Sequence, residues 1–179
     1  MMRRVVALLR GVNVGGVKVP MPDLKRMCIE AGFQDAVTYV NSGNAVFSTD
    51  RAEAAVKAEL ERRLTAFAGR PIGVMLRDGP EMAAVLAGNP WPERESKYTV
   101  AIFLDEPPAP DTLDALRNVS DEEVVLGRRE IYVWYGSGQG RSKLIIPAAK
   151  NGTARNMNSV AKLAEMTAAA SAPRPQDLR

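Results

Sequence analysis

Apolar positions in the first half of the chain follow two periods, and together they predict a βαββαβ unit. Residues 5–9 are apolar without interruption, which predicts a first strand buried on both faces. A helix is predicted from Pro22 to Gly32, which is expected to end it in a left-handed conformation. Asp50 and Glu53 resemble a capping box for a second helix. The other predicted elements are strands at 37–40 and 45–48 around a tight turn at 41–44, a stop to the second helix at Gly69, and a strand at 71–76.

The same order begins again in the second half, where no final strand is evident. The pattern predicts strands at 100–104, 123–126 and 131–135, short helices at 81–86, 111–117 and 142–149, and a last helix from about 153 to 169. The predicted organisation is an N-terminal subdomain at 1–78, a connector at 79–96, a C-terminal subdomain at 97–170 and a flexible tail at 171–179.

These elements predict an α+β fold of two ferredoxin-like subdomains packed together, each an antiparallel sheet with helices on one face. A lone sheet of this kind has a bare second face. The first strand of each half is apolar on both faces, so that second face is expected to be covered. We favour the other half of the chain over a second chain as the cover.

The amino-acid composition excludes several classes of catalytic and metal site. The 179 residues include no histidine and one cysteine, Cys28, which excludes Ser-His-Asp and Cys-His catalysis and histidine-based or all-cysteine zinc sites. We expect no cofactor and no metal. The single cysteine, the net charge of +3 and the absence of a signal peptide or a 20-residue apolar run favour a cytoplasmic protein without a membrane partner.

The loop after the first strand is the first candidate site. Its glycines lie between a strand and a helix N-terminus, an arrangement whose backbone N–H groups favour anions. The candidate ligand-binding residues here are Arg10, Gly11, Asn13, Gly15, Gly16 and Lys18. In the alternative interpretation the glycines only permit the turn, and Arg10 pairs with a carboxylate.

Three further stretches carry candidate binding residues. Residues 136–143 resemble a phosphate loop and supply Arg141 and Lys143, although a flexible turn is the alternative. The head of the last helix supplies Arg155 and Asn156, with Thr153 as a candidate cap. The hairpin turn supplies Ser42 and Asn44, which turn geometry alone also explains.

The sequence is compatible with three functions. The favoured one is binding of a small phosphate- or nucleotide-like anion at the seam between the halves, with catalysis, if any, by charge stabilisation. RNA or single-stranded nucleic-acid binding is less favoured, because the first strand lacks an aromatic residue and the sheet is expected to be covered. A protein-interaction or oligomeric module is the third, and the sequence does not fix the oligomeric state.

Several motifs resemble a bacterial family known as domain of unknown function 1697. They are LLRGVNVGG at 8–16, TYVNSGNAVF at 38–47, NPW at 89–91, GRSK at 140–143 and TARNMNSVAKL at 153–163. The resemblance implies a fold of two ferredoxin-like subdomains and implies no activity.

Overall fold

The computed structural model describes residues 1–14 and 16–168. Its helices and strands are β1 (Arg3–Leu9), α1 (Met21–Glu30), β2 (Gln34–Tyr39), β3 (Asn44–Thr49), α2 (Glu53–Ala68), β4 (Val74–Asp78), α3 (Gly79–Ala87), β5 (Thr99–Phe103), β6 (Glu123–Leu126), β7 (Glu130–Trp134), β8 (Thr153–Asn156) and α4 (Met157–Ala168). The strands form two four-stranded antiparallel sheets, which confirms the α+β fold class. Among the described residues, the first compact unit holds 1–82 and 162–168, and the second holds 83–161.

The first sheet has the order β2-β3-β1-β4, so β1 is hydrogen-bonded on both sides. Alternate residues of β1 join a core with α1 and α2, including Val5, Ala7 and Leu9. Val6 and Leu8, on the opposite face, are fully buried as well. The prediction that β1 is buried on both faces is therefore confirmed, and apolar burial of this kind is the main stabilising contribution to a sheet.

The second sheet repeats that order as β6-β7-β5-β8, but its crossovers contain no α-helix of their own among the described residues. The predicted helix at 111–117 is only a 3₁₀ turn, Thr112–Ala115. The predicted helix at 142–149 is wrong, because Ile145 instead pairs with Arg117 in an isolated bridge. Pro147 explains the failure, since proline inside a helix lacks the N–H that the helix needs.

The last strand lies where the sequence predicted the start of a helix. Thr153–Asn156 is β8, which pairs antiparallel with β5, so the helix α4 begins only at Met157. Asn156 caps α4, because its Oδ1 accepts the N–H of Ser159 at 3.0 Å. The cap role considered for Thr153 is therefore wrong, and the missing fourth strand of the second half is found.

Capping of the other helices also differs from the prediction. Glu53 is the first residue of α2, and the N-cap is Ala52 without a side-chain cap, so the capping box proposed for Asp50 and Glu53 is wrong. A reciprocal box stands instead at α3. The N–H of Glu81 donates to Asp78 at 2.9 Å, and the N–H of Asp78 donates to Glu81 at 3.1 Å. The three-residue spacing is the same, but a box works only when its first residue is the N-cap.

The turn between β2 and β3 depends on glycine at position 43. Gly43 has a φ of +90°, and a Cβ there would lie 2.5 Å from Val12 and 2.9 Å from Leu9. We expect Gly43→Ala to lower the free energy of unfolding by about 3 kcal/mol through backbone strain and overpacking. Urea denaturation of both proteins measures this.

Gly16→Ala is the matched control, because a Cβ at Gly16 meets nothing within 4 Å. Its effect should stay within about 0.5 kcal/mol. Equal stability of the two variants would show that the turn does not need glycine at position 43.

Candidate functional site

The loop between β1 and α1 is closed on itself by Asn13. The Asn13 N–H donates to the carbonyl of Val17 at 2.7 Å. Its side-chain Nδ2 donates to the carbonyl of Val19 at 3.0 Å, and its Oδ1 accepts the Val19 N–H at 2.9 Å. Asn13 itself has a φ of +58°, which asparagine tolerates better than most residues. These bonds hold the backbone at Val17 and Val19, on either side of Lys18, against Asn13.

The hairpin turn is joined to this loop. The Nδ2 of Asn13 also donates to the carbonyl of Asn41 at 2.5 Å. Asn44 is fully buried, and its Nδ2 donates to Tyr39 at 2.8 Å and to the Ser42 hydroxyl at 3.0 Å. These contacts give Asn44 and Ser42 a part in building the turn, as their alternative interpretation held.

Two cations lie on this part of the first unit. Arg10 directly follows β1 and is exposed, while its backbone N–H donates to Gly73 at 2.9 Å. Its aliphatic stem passes over Gly73, where an added Cβ would lie 3.8 Å from it. Lys18 is exposed as well. Gly11 takes a φ of +67° and Gly16 has open space around it, whereas Gly15 lies outside the described residues.

The second glycine loop differs from the first in its electrostatics. The Ser137 hydroxyl donates to Asp121 at 2.5 Å, and the Ser142 hydroxyl donates to Glu122 at 2.6 Å. The hydrogen bond from the Ser142 hydroxyl is the main cause that lowers the pKa of Glu122, and backbone N–H groups add to it. The Glu122 carboxylate therefore stays negatively charged. The hydroxyl groups that a phosphate would need as donors therefore already donate to carboxylates.

The basic residues of that loop also lack the predicted helix. Arg141 lies in a 3₁₀ turn, Gln139–Arg141, and Lys143 is exposed in an extended segment. Without a helix N-terminus after them, the main physical reason for a phosphate loop is lost. Both residues keep their place in the hypothesis only as exposed cations.

Arg155 is held inside the second unit. It is 6% exposed, and its guanidinium donates to the Thr153 hydroxyl and to the carbonyl of Ala154, each at 2.9 Å. Burial lowers the pKa of Arg155 to about 10, so it stays charged at neutral pH. Asn156 is committed to capping α4. The candidates of the first loop and of the hairpin turn thus belong to the first unit. The second unit contains Arg141, Lys143, Arg155 and Asn156, and a site shared by both sets stays a prediction.

A cation–aromatic cluster in the second unit was not predicted. The Arg94 guanidinium lies 5.1 Å from the ring centre of Trp134 and 5.7 Å from that of Trp91, and it pairs with Glu123. Tyr98 meets Trp134 edge-on at 6.0 Å. Because Arg94 covers the indoles, these rings pack the strand and do not form an open stacking platform. No sequence periodicity relates residue 94 to residue 134.

One cavity of the first unit lies at the start of β1, the opposite end from Arg10. Its polar lining includes Arg3, Glu53, Asp78 and Glu81. Asp78 and Glu81 are the capping box of α3, so part of this charge has a structural use. In the described part of the chain no group of three or more acidic or cysteine side chains is arranged to hold a metal ion.

Comparison with known proteins identifies the family. The description "Protein of unknown function (DUF1697)" matches residues 2–132. The chain belongs to this family. The match confirms the resemblance seen in the sequence, although the motifs at 140–143 and 153–163 lie beyond the matched residues.

The DUF1697 fold is also seen in a solved structure. The conserved bacterial protein SP0830 from Streptococcus pneumoniae is 26% identical to this chain and superposes with a TM-score of 0.77. The match covers 93% of this chain and 99% of that one. No curated protein matches the chain. None of the described helices is long and apolar enough to span a membrane.

The one thiol of this DUF1697 protein is packed in the first core. Cys28 is fully buried among the apolar residues of α1, and burial raises its pKa from 9.0 to about 12. A neutral, buried thiol is a poor nucleophile. Cys28 is therefore a core residue, as its position on the apolar face of α1 indicates.

This burial has a pH consequence. Above pH 9 the unfolded chain loses the thiol proton while the folded chain keeps it, so stability falls as the pH rises from 9 to 12. We expect Cys28 to account for a loss of about 1.4 kcal/mol between pH 8 and pH 10. Denaturation of the wild type and of Cys28→Ala at both pH values measures this loss. The variant has no thiol and should therefore lack the part of the pH dependence that arises from Cys28. Parallel pH profiles would contradict it.

Proposed function

We propose that this protein binds a small phosphate- or nucleotide-like anion at the loop that follows β1, with Arg10 and Lys18 as the charged ligand groups. The observation that carries the proposal is the closure of the loop by Asn13. Val17 and Val19 are both bonded to Asn13, so the backbone on either side of Lys18 is held at Asn13, which is three residues after Arg10 in the chain. Both cations are exposed to solvent.

The strength of such a site indicates which anions it would bind. Charge-assisted hydrogen bonds contribute about 1.5–3 kcal/mol each, and a millimolar dissociation constant corresponds to about 4 kcal/mol. Arg10 and Lys18 together therefore supply about 3–6 kcal/mol, which corresponds to dissociation constants between about 0.04 and 6 mM. That range favours anions with two or more charges, such as diphosphates, over a single carboxylate.

The remaining candidates have less support. An RNA-binding sheet needs exposed aromatic residues on its open face, whereas Val6 and Leu8 on that face of the first sheet are fully buried. With no histidine in the chain and Cys28 buried, any catalysis would act through charge stabilisation at Arg10 and Lys18. The strand order β4-β1-β3-β2 supports the ferredoxin-like assignment of the first unit.

Substitution of the two cations tests the site. We expect Arg10→Ala and Lys18→Ala each to weaken the binding of inorganic pyrophosphate and ADP by about tenfold, because each removes one charge-assisted contact. Titration calorimetry at low ionic strength measures both ligands, and added salt should weaken binding by screening.

Lys25→Ala is the matched control. Lys25 is an exposed lysine of α1, so its removal lowers the net charge by the same amount without touching the loop. Equal losses of affinity in all three variants would show that only the net charge matters. Unchanged affinity in Arg10→Ala and Lys18→Ala would exclude this loop as the binding site.

A further inference from the structure

We infer that Asn13 is the positioning residue of the proposed anion site and not one of its ligands. This inference rests on the proposed function, and it replaces the ligand role that the sequence suggested for Asn13. It follows from where the hydrogen-bonding capacity of the Asn13 side chain goes.

The donors of that side chain are already used. A carboxamide has two N–H donors and one carbonyl acceptor. The Nδ2 of Asn13 has two acceptors, the carbonyls of Val19 and Asn41, and its Oδ1 accepts the N–H of Val19. The side chain therefore has no donor left for an anion, and its exposed lone pair would repel one.

Through these three bonds, the Asn13 side chain joins the end of its own loop to a segment that is far away in sequence. Val19 lies at the end of the loop, and Asn41 lies in the hairpin turn, 28 residues from Asn13. Gly43 in the same turn packs so closely on Val12 and Leu9 that no side chain fits between them. Loop and turn are thus held together at two points, and the loop is shaped before any ligand arrives.

Such preorganisation changes affinity through entropy. A loop that is already ordered does not lose backbone freedom when it binds. Without the Asn13 carboxamide, we expect the backbone at Val17, Lys18 and Val19 to gain conformational freedom. The entropy lost when this segment is ordered again would then reduce the free energy of anion binding. We expect a loss of affinity even though no contact to the ligand has been removed.

Asn13→Gly is the suitable variant. Glycine accepts the φ of +58° found at this position and lacks the carboxamide. Asn118→Gly is the matched control, because Asn118 is exposed and has the same φ of +58° in the second unit. Two readouts are needed: hydrogen exchange at the Val19 amide, and pyrophosphate affinity by calorimetry.

The expected result is at least tenfold faster exchange at Val19 and at least tenfold weaker pyrophosphate binding in Asn13→Gly, with neither change in Asn118→Gly. Faster exchange with unchanged affinity would overturn the positioning role while the proposed function stands. Absence of pyrophosphate binding in the wild type would overturn both, and exchange at Val19 would still report whether Asn13 orders the loop. Should Asn13→Gly fail to fold, Asn13→Ser, which is neutral and lacks the carboxamide, is measured in the same way, and unchanged affinity in that variant overturns the inference.

Discussion

The central strand β1 is the constraint on which the first unit depends. It is hydrogen-bonded to β3 on one side and β4 on the other, and both of its faces are buried. The backbone pairing continues past the strand, since Leu9 bonds to Gly43 and Arg10 bonds to Gly73. Arg10 is therefore the first residue after β1 that reaches solvent, and its backbone position is fixed by the sheet.

Much of this architecture follows from the sequence because β1 and β5 are read without ambiguity. An uninterrupted apolar run has few alternatives to a central strand, and the strands that flank it are bounded by glycine and proline turns. β8 was missed for the opposite reason. Its four residues, Thr153–Asn156, are too short and too polar for a period to appear, and only pairing with β5 makes them a strand.

The candidate site was less predictable, because glycine loops look alike in sequence. Residues 11–16 and 136–140 both lie between a strand and a predicted helix. They differ in their tertiary contacts, because Asp121 and Glu122 bond to Ser137 and Ser142, which are 16 and 20 residues away in sequence. Asparagine side chains were also ambiguous, since one carboxamide serves a ligand or a backbone equally well, and in Asn13 and Asn44 it serves the backbone.

The asparagines and the cations of the loop have different roles, and these roles define what the loop can do chemically. The carboxamides are used in shaping it. Arg10 and Lys18 supply positive charge, but neither is a nucleophile or a base that titrates near neutral pH. Under the proposed function, such a surface would recognise an anion by the position and number of its negative charges. It would act on a bound anion only by stabilising charge that develops during a reaction. Donors positioned by the hydrogen bonds of Asn13 suit that role, because a donor that is already positioned has no reorganisation cost. The order imposed by Asn13 and Gly43 therefore matters as much to the proposed function as the two cations do.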